Sequence, residues 1–72
     1  MQKYRKDAEQ GDPRAQYNLG CCYELGDGVE KDLSQAYIWY YLAAEKGNEL
    51  AAYRLYKLNN DYEKQQKMEK HK

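Results

Sequence analysis

The chain repeats itself after 36 residues: Ala8-Glu9-x-Gly11 returns as Ala44-Glu45-x-Gly47, Ala15-x-Tyr17-x-Leu19 returns as Ala51-x-Tyr53-x-Leu55, and Tyr4 and Tyr40 share the same offset. A period of this length marks a supersecondary unit that cannot bury its apolar face alone and completes its core only against the next copy. Stacked units of that kind present an extended surface and seldom a catalytic cleft.

The punctuation within the period predicts where helices stop and start. Gly11-Asp12 and Gly47-Asn48 each join a glycine suited to a left-handed C′ position to a residue suited to cap the next helix, so one helix ends and another begins within two residues. Pro13 then stands at a first helical position and a periodic stretch follows, which predicts helix A over about 13–25. Gly26-Asp27-Gly28 ends it, and Asp32 with Gln35 has the spacing of a capping box for helix B, over about 33–46. By the same offset, residues 1–11 read as the end of a preceding B-type helix. Residues 12–47 read as one complete repeat, 48–60 as the first helix of a following one, and 61–72 as a polar tail, helical or disordered. Ala51, Leu55, Leu58 and Tyr62 keep the spacing of one long helix, while Asn59-Asn60-Asp61 favours a break near Asn59.

Packing can be read from the same stretches. The run Ala36-Tyr-Ile-Trp-Tyr-Tyr-Leu-Ala-Ala44 is apolar nearly all round, which predicts a helix B buried on several sides, with Trp39 and its neighbours mostly in the core. On helix A, Ala15, Leu19, Cys22 and Tyr23 share a face with Gly20. A glycine in mid-helix sacrifices about 1 kcal/mol relative to alanine, so its place there points to a close helix contact.

Size and charge narrow the partners. At 72 residues the chain is one domain at most, near the size where a single core barely offsets an ordering entropy of roughly 1–2 kcal/mol per residue, and association with another chain is the natural remedy. Twelve Lys and Arg balance twelve Asp and Glu, so no net field draws the chain to nucleic acid or to an acidic membrane. The apolar run from Ala36 to Ala44 falls well short of the roughly 20 residues of a membrane span, and no apolar segment follows the first charges. A chain without a targeting segment, cytoplasmic in location, is the expectation. Cys21 and Cys22 are helix neighbours pointing about 100° apart, which disfavours a mutual bridge and suggests free thiols in a reducing compartment.

Leu19-Gly20-x-x-Tyr23 followed by Ala36-x-x-x-Tyr40 matches part of the tetratricopeptide pattern. A longer set, Ala15-Gln16-Tyr17-x-Leu19-Gly20-x-x-Tyr23-x-x-Gly26-x-Gly28-Val29-x-x-Asp32-x-x-x-Ala36, then Trp39-Tyr40 and Ala43-Ala44-x-x-Gly47, resembles the Sel-one-like repeat (SLR) family. The likeness covers roughly residues 4–58. The second copy departs from it at Leu55-Tyr56-x-x-Asn59 and lacks the Gly-x-Gly loop, as though the array ended there. The resemblance implies an all-α fold of antiparallel helix-pair repeats stacked as a short right-handed α/α solenoid, acting as an adaptor in protein complexes. It supplies no catalytic residues. Some secreted members tie their helices with cysteines near the end of helix B, where this chain has Ala43-Ala44, so an intracellular setting is favoured.

The resemblance also puts first helices on the concave face. The helix A residues left over from packing are Arg14, Tyr17, Asn18, Cys21 and Glu24, and their counterparts on the next helix are Leu50, Tyr53, Arg54, Lys57 and Asn60. Tyr17 and Tyr53 are expected side by side within a polar rim, the pattern of an aromatic anchor for a protein or peptide; an ordinary solvated face gives the same sequence. The alternative to partner binding is a homo-oligomer in which exposed repeat ends stack between chains. Catalysis fits poorly, because a thiol nucleophile needs a nearby base and the only histidine is His71 in the tail. Neither a metal site nor a cofactor is expected: two adjacent cysteines lack ligand spacing, and Gly26-Asp27-Gly28 lacks the rest of a phosphate loop.

Overall fold

The computed structural model describes the backbone over residues 2–70 and the side chains over residues 5–60. The described backbone is all-α, with four helices: α1 (Gln2–Glu9), α2 (Pro13–Leu25), α3 (Leu33–Glu45) and α4 (Glu49–Lys70). Consecutive helices pack on one another, so α3 lies between α2 and α4 while α1 covers the other flank of α2.

The two short joints are built alike. Gly11 and Gly47 take φ of 104° and 95°, a region closed to side chains with a Cβ except at the expense of strain. Gly11 N–H donates to Ala8 C=O and Asp12 N–H to Asp7 C=O, at 3.0 and 3.1 Å. Gly47 and Asn48 make the same pair of bonds, to Ala44 and Ala43. Both close the ends of their helices in the Schellman manner. The same Asp12 and Asn48 then open the next helix, Asp12 Oδ1 accepting from Arg14 N–H and Asn48 Oδ1 from Ala51 N–H, each at 3.0 Å. One residue's main chain ends a helix while its side chain begins another.

The longer joint uses Gly26 at φ 71° to stop α2 and Asp32 to start α3, with Asp32 Oδ1 accepting from Ser34 and Gln35 N–H. Only half of the expected capping box forms. The N–H of Asp32 donates at 3.0 Å to the carbonyl of Tyr23, which returns the loop to the end of α2.

Two buried clusters hold the helices together. Ala8, Ala15 and Leu19 join α1 to α2 under Trp39 and Tyr23; Ala36, Tyr40, Ala43 and Ala51 join α3 to α4 with Tyr17, Cys21, Ala44, Leu55 and Leu58 around them. Tyr23 touches both clusters. Alanines at the crossings keep the helices close, and Gly20 closes the gap further: a Cβ built there would stand 2.7 Å from the Tyr40 ring, inside any real carbon–carbon contact. Successive joints are stitched as well. Lys46 Nζ donates to Gly11 C=O at 2.7 Å and Asn48 Nδ2 to Pro13 C=O at 3.4 Å.

Two expectations are corrected. Helix α4 does not break at Asn59 but continues to Lys70. The offset gives the reason: the place of Gly26, which stops α2, is taken by Tyr62, which offers no left-handed stop. The polar side chains of the tail beyond Asn60 lie outside the described residues. Second, α3 is covered on one side only. Tyr40, Ala36 and Ala43 are fully buried and Trp39 partly, whereas Leu33, Tyr37, Ile38 and Tyr41 are exposed along the opposite arc.

Substitution of Gly20 by alanine tests the crossing through the sign of its effect. On an open helix surface it should stabilise by about 1 kcal/mol. Against the Tyr40 ring it is expected to destabilise by about 1–3 kcal/mol, read as a lowered urea midpoint in far-UV circular dichroism, and Gly20→Val to prevent folding.

Candidate functional site

The predicted stripe divides into a braced inner part and an open outer part. Tyr17 is half-buried, its ring 5.9 Å from that of Tyr40 and tilted by 41°, so it packs against the core. Cys21 is half-buried beside the same ring. Glu24 lies at the centre: its Oε1 accepts from the Tyr40 hydroxyl at 2.7 Å, and its Oε2 stands 3.8 Å from Arg54 of α4. Asn18 is half-buried, while Arg14, Leu50, Tyr53 and Lys57 are exposed, Leu50 and Tyr53 at 62% and 59%.

This arrangement follows from where α2 and α4 meet beside α3. A phenol buried in an apolar cluster needs a partner for its O–H, and Glu24, two turns C-terminal to Tyr17 on α2, supplies a charged acceptor at the rim. Burial, with Cys21 and Glu24 as further causes, pushes the Tyr40 phenol well above its ordinary value. The Arg54 guanidinium is held still more firmly in its charged form, first by the Tyr17 hydroxyl and then by Glu24. Because Arg54 is half exposed, its ion pair contributes under about 1 kcal/mol.

The sequence offered no route to the Glu24–Tyr40 bond, since the two residues sit on different helices and helical spacing says nothing across a crossing. A similar bond joins Arg5 of α1 to the Tyr23 hydroxyl. Together with Val29, Glu30, Asp32 and Gln35, these two line an open depression beside the longer joint. Arg5 and Asp32 are already engaged there, one on Tyr23 and the other in capping α3.

Cys22 is buried in the α2 face, and burial, more than the nearby Asp27, pushes its thiol up, away from the reactive thiolate. Among the described residues no group of three His, Cys, Asp or Glu could hold a metal ion. His71 lies outside them. No helix among the described residues is long and apolar enough to cross a membrane.

The buried phenol sets an alkaline limit on the fold. A folded-state pKa raised above the unfolded value of about 10 gives stability that is fully present below pH 10 and is lost as pH rises beyond it. Thermal melts recorded from pH 9 to 12 are expected to show a falling midpoint for the wild type. Tyr40→Phe should flatten that slope while lowering stability at neutral pH.

Comparison with known proteins matches a family model, the Sel1 repeat, to residues 13–48. The DAP3-binding cell death enhancer 1 of Rattus norvegicus is 49% identical over 53 residues, which cover 74% of this chain and 10% of the rat protein. The protein of the same name from Mus musculus matches to the same extent. The putative sel1-like repeat-containing protein L21 of Acanthamoeba polyphaga mimivirus is 40% identical over 51 residues, 71% of this chain and 10% of its own length. The chain thus spans about a tenth of the length of the curated relatives it matches. No solved structure matches. The family match begins at Pro13, at the start of α2, and ends at Asn48, the residue that opens α4, covering half of the sequence; the chain belongs to the Sel1 repeat family.

Proposed function

We propose that this chain is a protein-binding module that takes a protein or peptide on the side shared by α2 and α4, the concave A-helix face of a repeat array. Sel1 repeats are generally non-catalytic protein–protein interaction modules, which supports the class of activity. The observation that carries the choice of face is the exposure of Leu50 and Tyr53 on α4, with Lys57 one turn beyond Tyr53 on the same helix and Arg14 exposed on α2. An aromatic anchor inside a rim of charge is the composition of binding hot spots. The Glu24 brace reaches α4 at Arg54, the neighbour of Tyr53. By tying α2, α3 and α4 together before any partner arrives, it reduces the ordering penalty of association. The rat and mouse relatives carry a binding partner, DAP3, in their name, which supports a binding role for this chain as well.

Within the reading, the residues divide by task. Arg14, Leu50, Tyr53 and Lys57 make the contact; Tyr17, Cys21, Glu24 and Arg54 keep its floor rigid, with Asn18 at the edge. Lys57, one turn from Tyr53 on the same helix, favours a partner segment that offers a carboxylate near an apolar side chain.

Affinity capture from lysate with immobilised wild-type chain, beside a Tyr53→Ala, Lys57→Glu variant, tests this. Both side chains are exposed, so circular dichroism should show the variant folded. A protein retained by the wild type and reduced at least about tenfold on the variant is the expected outcome. Equal retention by both would overturn the assignment of the face.

A further inference from the structure

We propose that the segment this module binds is an amphipathic α-helix, seated on α4 as α3 is seated on α2, with a small residue over Tyr56 and a carboxylate beside Lys57. The proposal rests on the binding reading above and names the kind of segment that the face takes.

Helices α2 and α4 each turn one face toward the helix before them. Ala15 and Leu19 of α2 pack with Ala8 of α1, and their counterparts 36 residues on, Ala51 and Leu55, pack with the α3 cluster. The opposite face of α2 carries α3, where four residues surround a single ring. Tyr17 packs its own ring on Tyr40, Gly20 leaves the space that the Tyr40 ring fills, Cys21 lies beside it, and Glu24 accepts from its hydroxyl. Steps of three, one and three residues keep all four on one side of the helix. The counterparts on α4 are Tyr53, Tyr56, Lys57 and Asn60. The first three are exposed, Tyr56 at 67%, and Asn60 is half-buried. The face that holds a helix on α2 is therefore open on α4, and it continues a contact already formed once within the chain.

Two exchanges along that face define what fits it. Where α2 has glycine to admit a ring, α4 carries a ring of its own, so a helix bringing a tyrosine to the crossing, as α3 does, would collide with Tyr56. Glycine, alanine or serine at that point leaves room and lets the incoming helix cover the apolar body of the phenol. Where α2 has Cys21, α4 has Lys57, and a cation there favours a carboxylate on the incoming helix. A helix also suits the face better than an extended segment does. The amides of α4 are spent within their own helix and leave no backbone edge for a strand to join, whereas an amphipathic helix docks through side chains alone.

A peptide of residues 32–47, which is α3 with its caps, is the probe, prepared in its natural form and with Tyr40→Ala. Each is labelled and titrated with the full chain, wild type or Tyr56→Gly, and followed by fluorescence anisotropy. The wild type should bind the Tyr40→Ala peptide at least about tenfold more tightly than the natural one, with a gain of helicity on mixing. On the Tyr56→Gly chain the order should reverse, because the glycine restores the seat for Tyr40. Tyr56 is exposed, so circular dichroism should show that variant folded. Binding of neither peptide to the wild type at millimolar concentration would overturn the proposal. So would the same order of affinity on both chains, which places the helix elsewhere, or binding without a gain of helicity, which assigns the face to an extended segment. If any of these accompanied a protein captured through Tyr53 and Lys57, the binding reading would stand and the helix alone would fall.

Discussion

The seating of Tyr40 in the gap left by Gly20 is the contact on which the rest of the structure depends. Removing a Cβ from α2 lets α3 approach until a whole phenol ring lies between the helices, fully buried. That ring separates the floor of the molecule from its surface. Its apolar body joins Ala36, Ala43 and Ala51, and its hydroxyl reaches the Glu24 carboxylate at the edge. Phenylalanine would fill the same volume but leave Glu24 with only Arg54. Phenylalanine could not fully replace Tyr23 or Tyr40, because each packs with the ring and engages a charged group with the oxygen.

The repeat and the joints were the most legible parts of the sequence. Glycine followed by Asp or Asn permits few geometries, and the Schellman closure with an immediate cap is one that satisfies both residues. Gly20 was legible for a related reason: a mid-helix glycine is unfavourable alone and acquires meaning only against a neighbour. The end of α4 misled, because three polar residues at Asn59-Asn60-Asp61 suggested a stop while the position that matters is the missing glycine at Tyr62. The exposed flank of α3 misled in a different way. Composition reports that a helix is apolar all round, but only the number of neighbours present decides which of those residues are covered.

The candidate site was legible as a list of residues and not as a set of roles. Helical spacing placed Arg14, Tyr17, Cys21 and Glu24 on one stripe, and the α2 they share is the helix observed. Their division between contact and support depends on what stands across from each one. Tyr17 meets Tyr40, Glu24 meets Tyr40 and Arg54, and Arg14 is left exposed. Those pairings join residues far apart in the chain, where periodicity carries no information.

The stitches between joints have one more consequence. Lys46 and Asn48 reach back 35 residues, and what they grasp are the carbonyls of Gly11 and Pro13, not side chains. Every amino acid carries a carbonyl, so the receiving end of each stitch survives any substitution that leaves the backbone in place. The spacing of these two units is thereby fixed to the peptide chain at one end, and Lys46 and Asn48 alone must be kept for both stitches to hold.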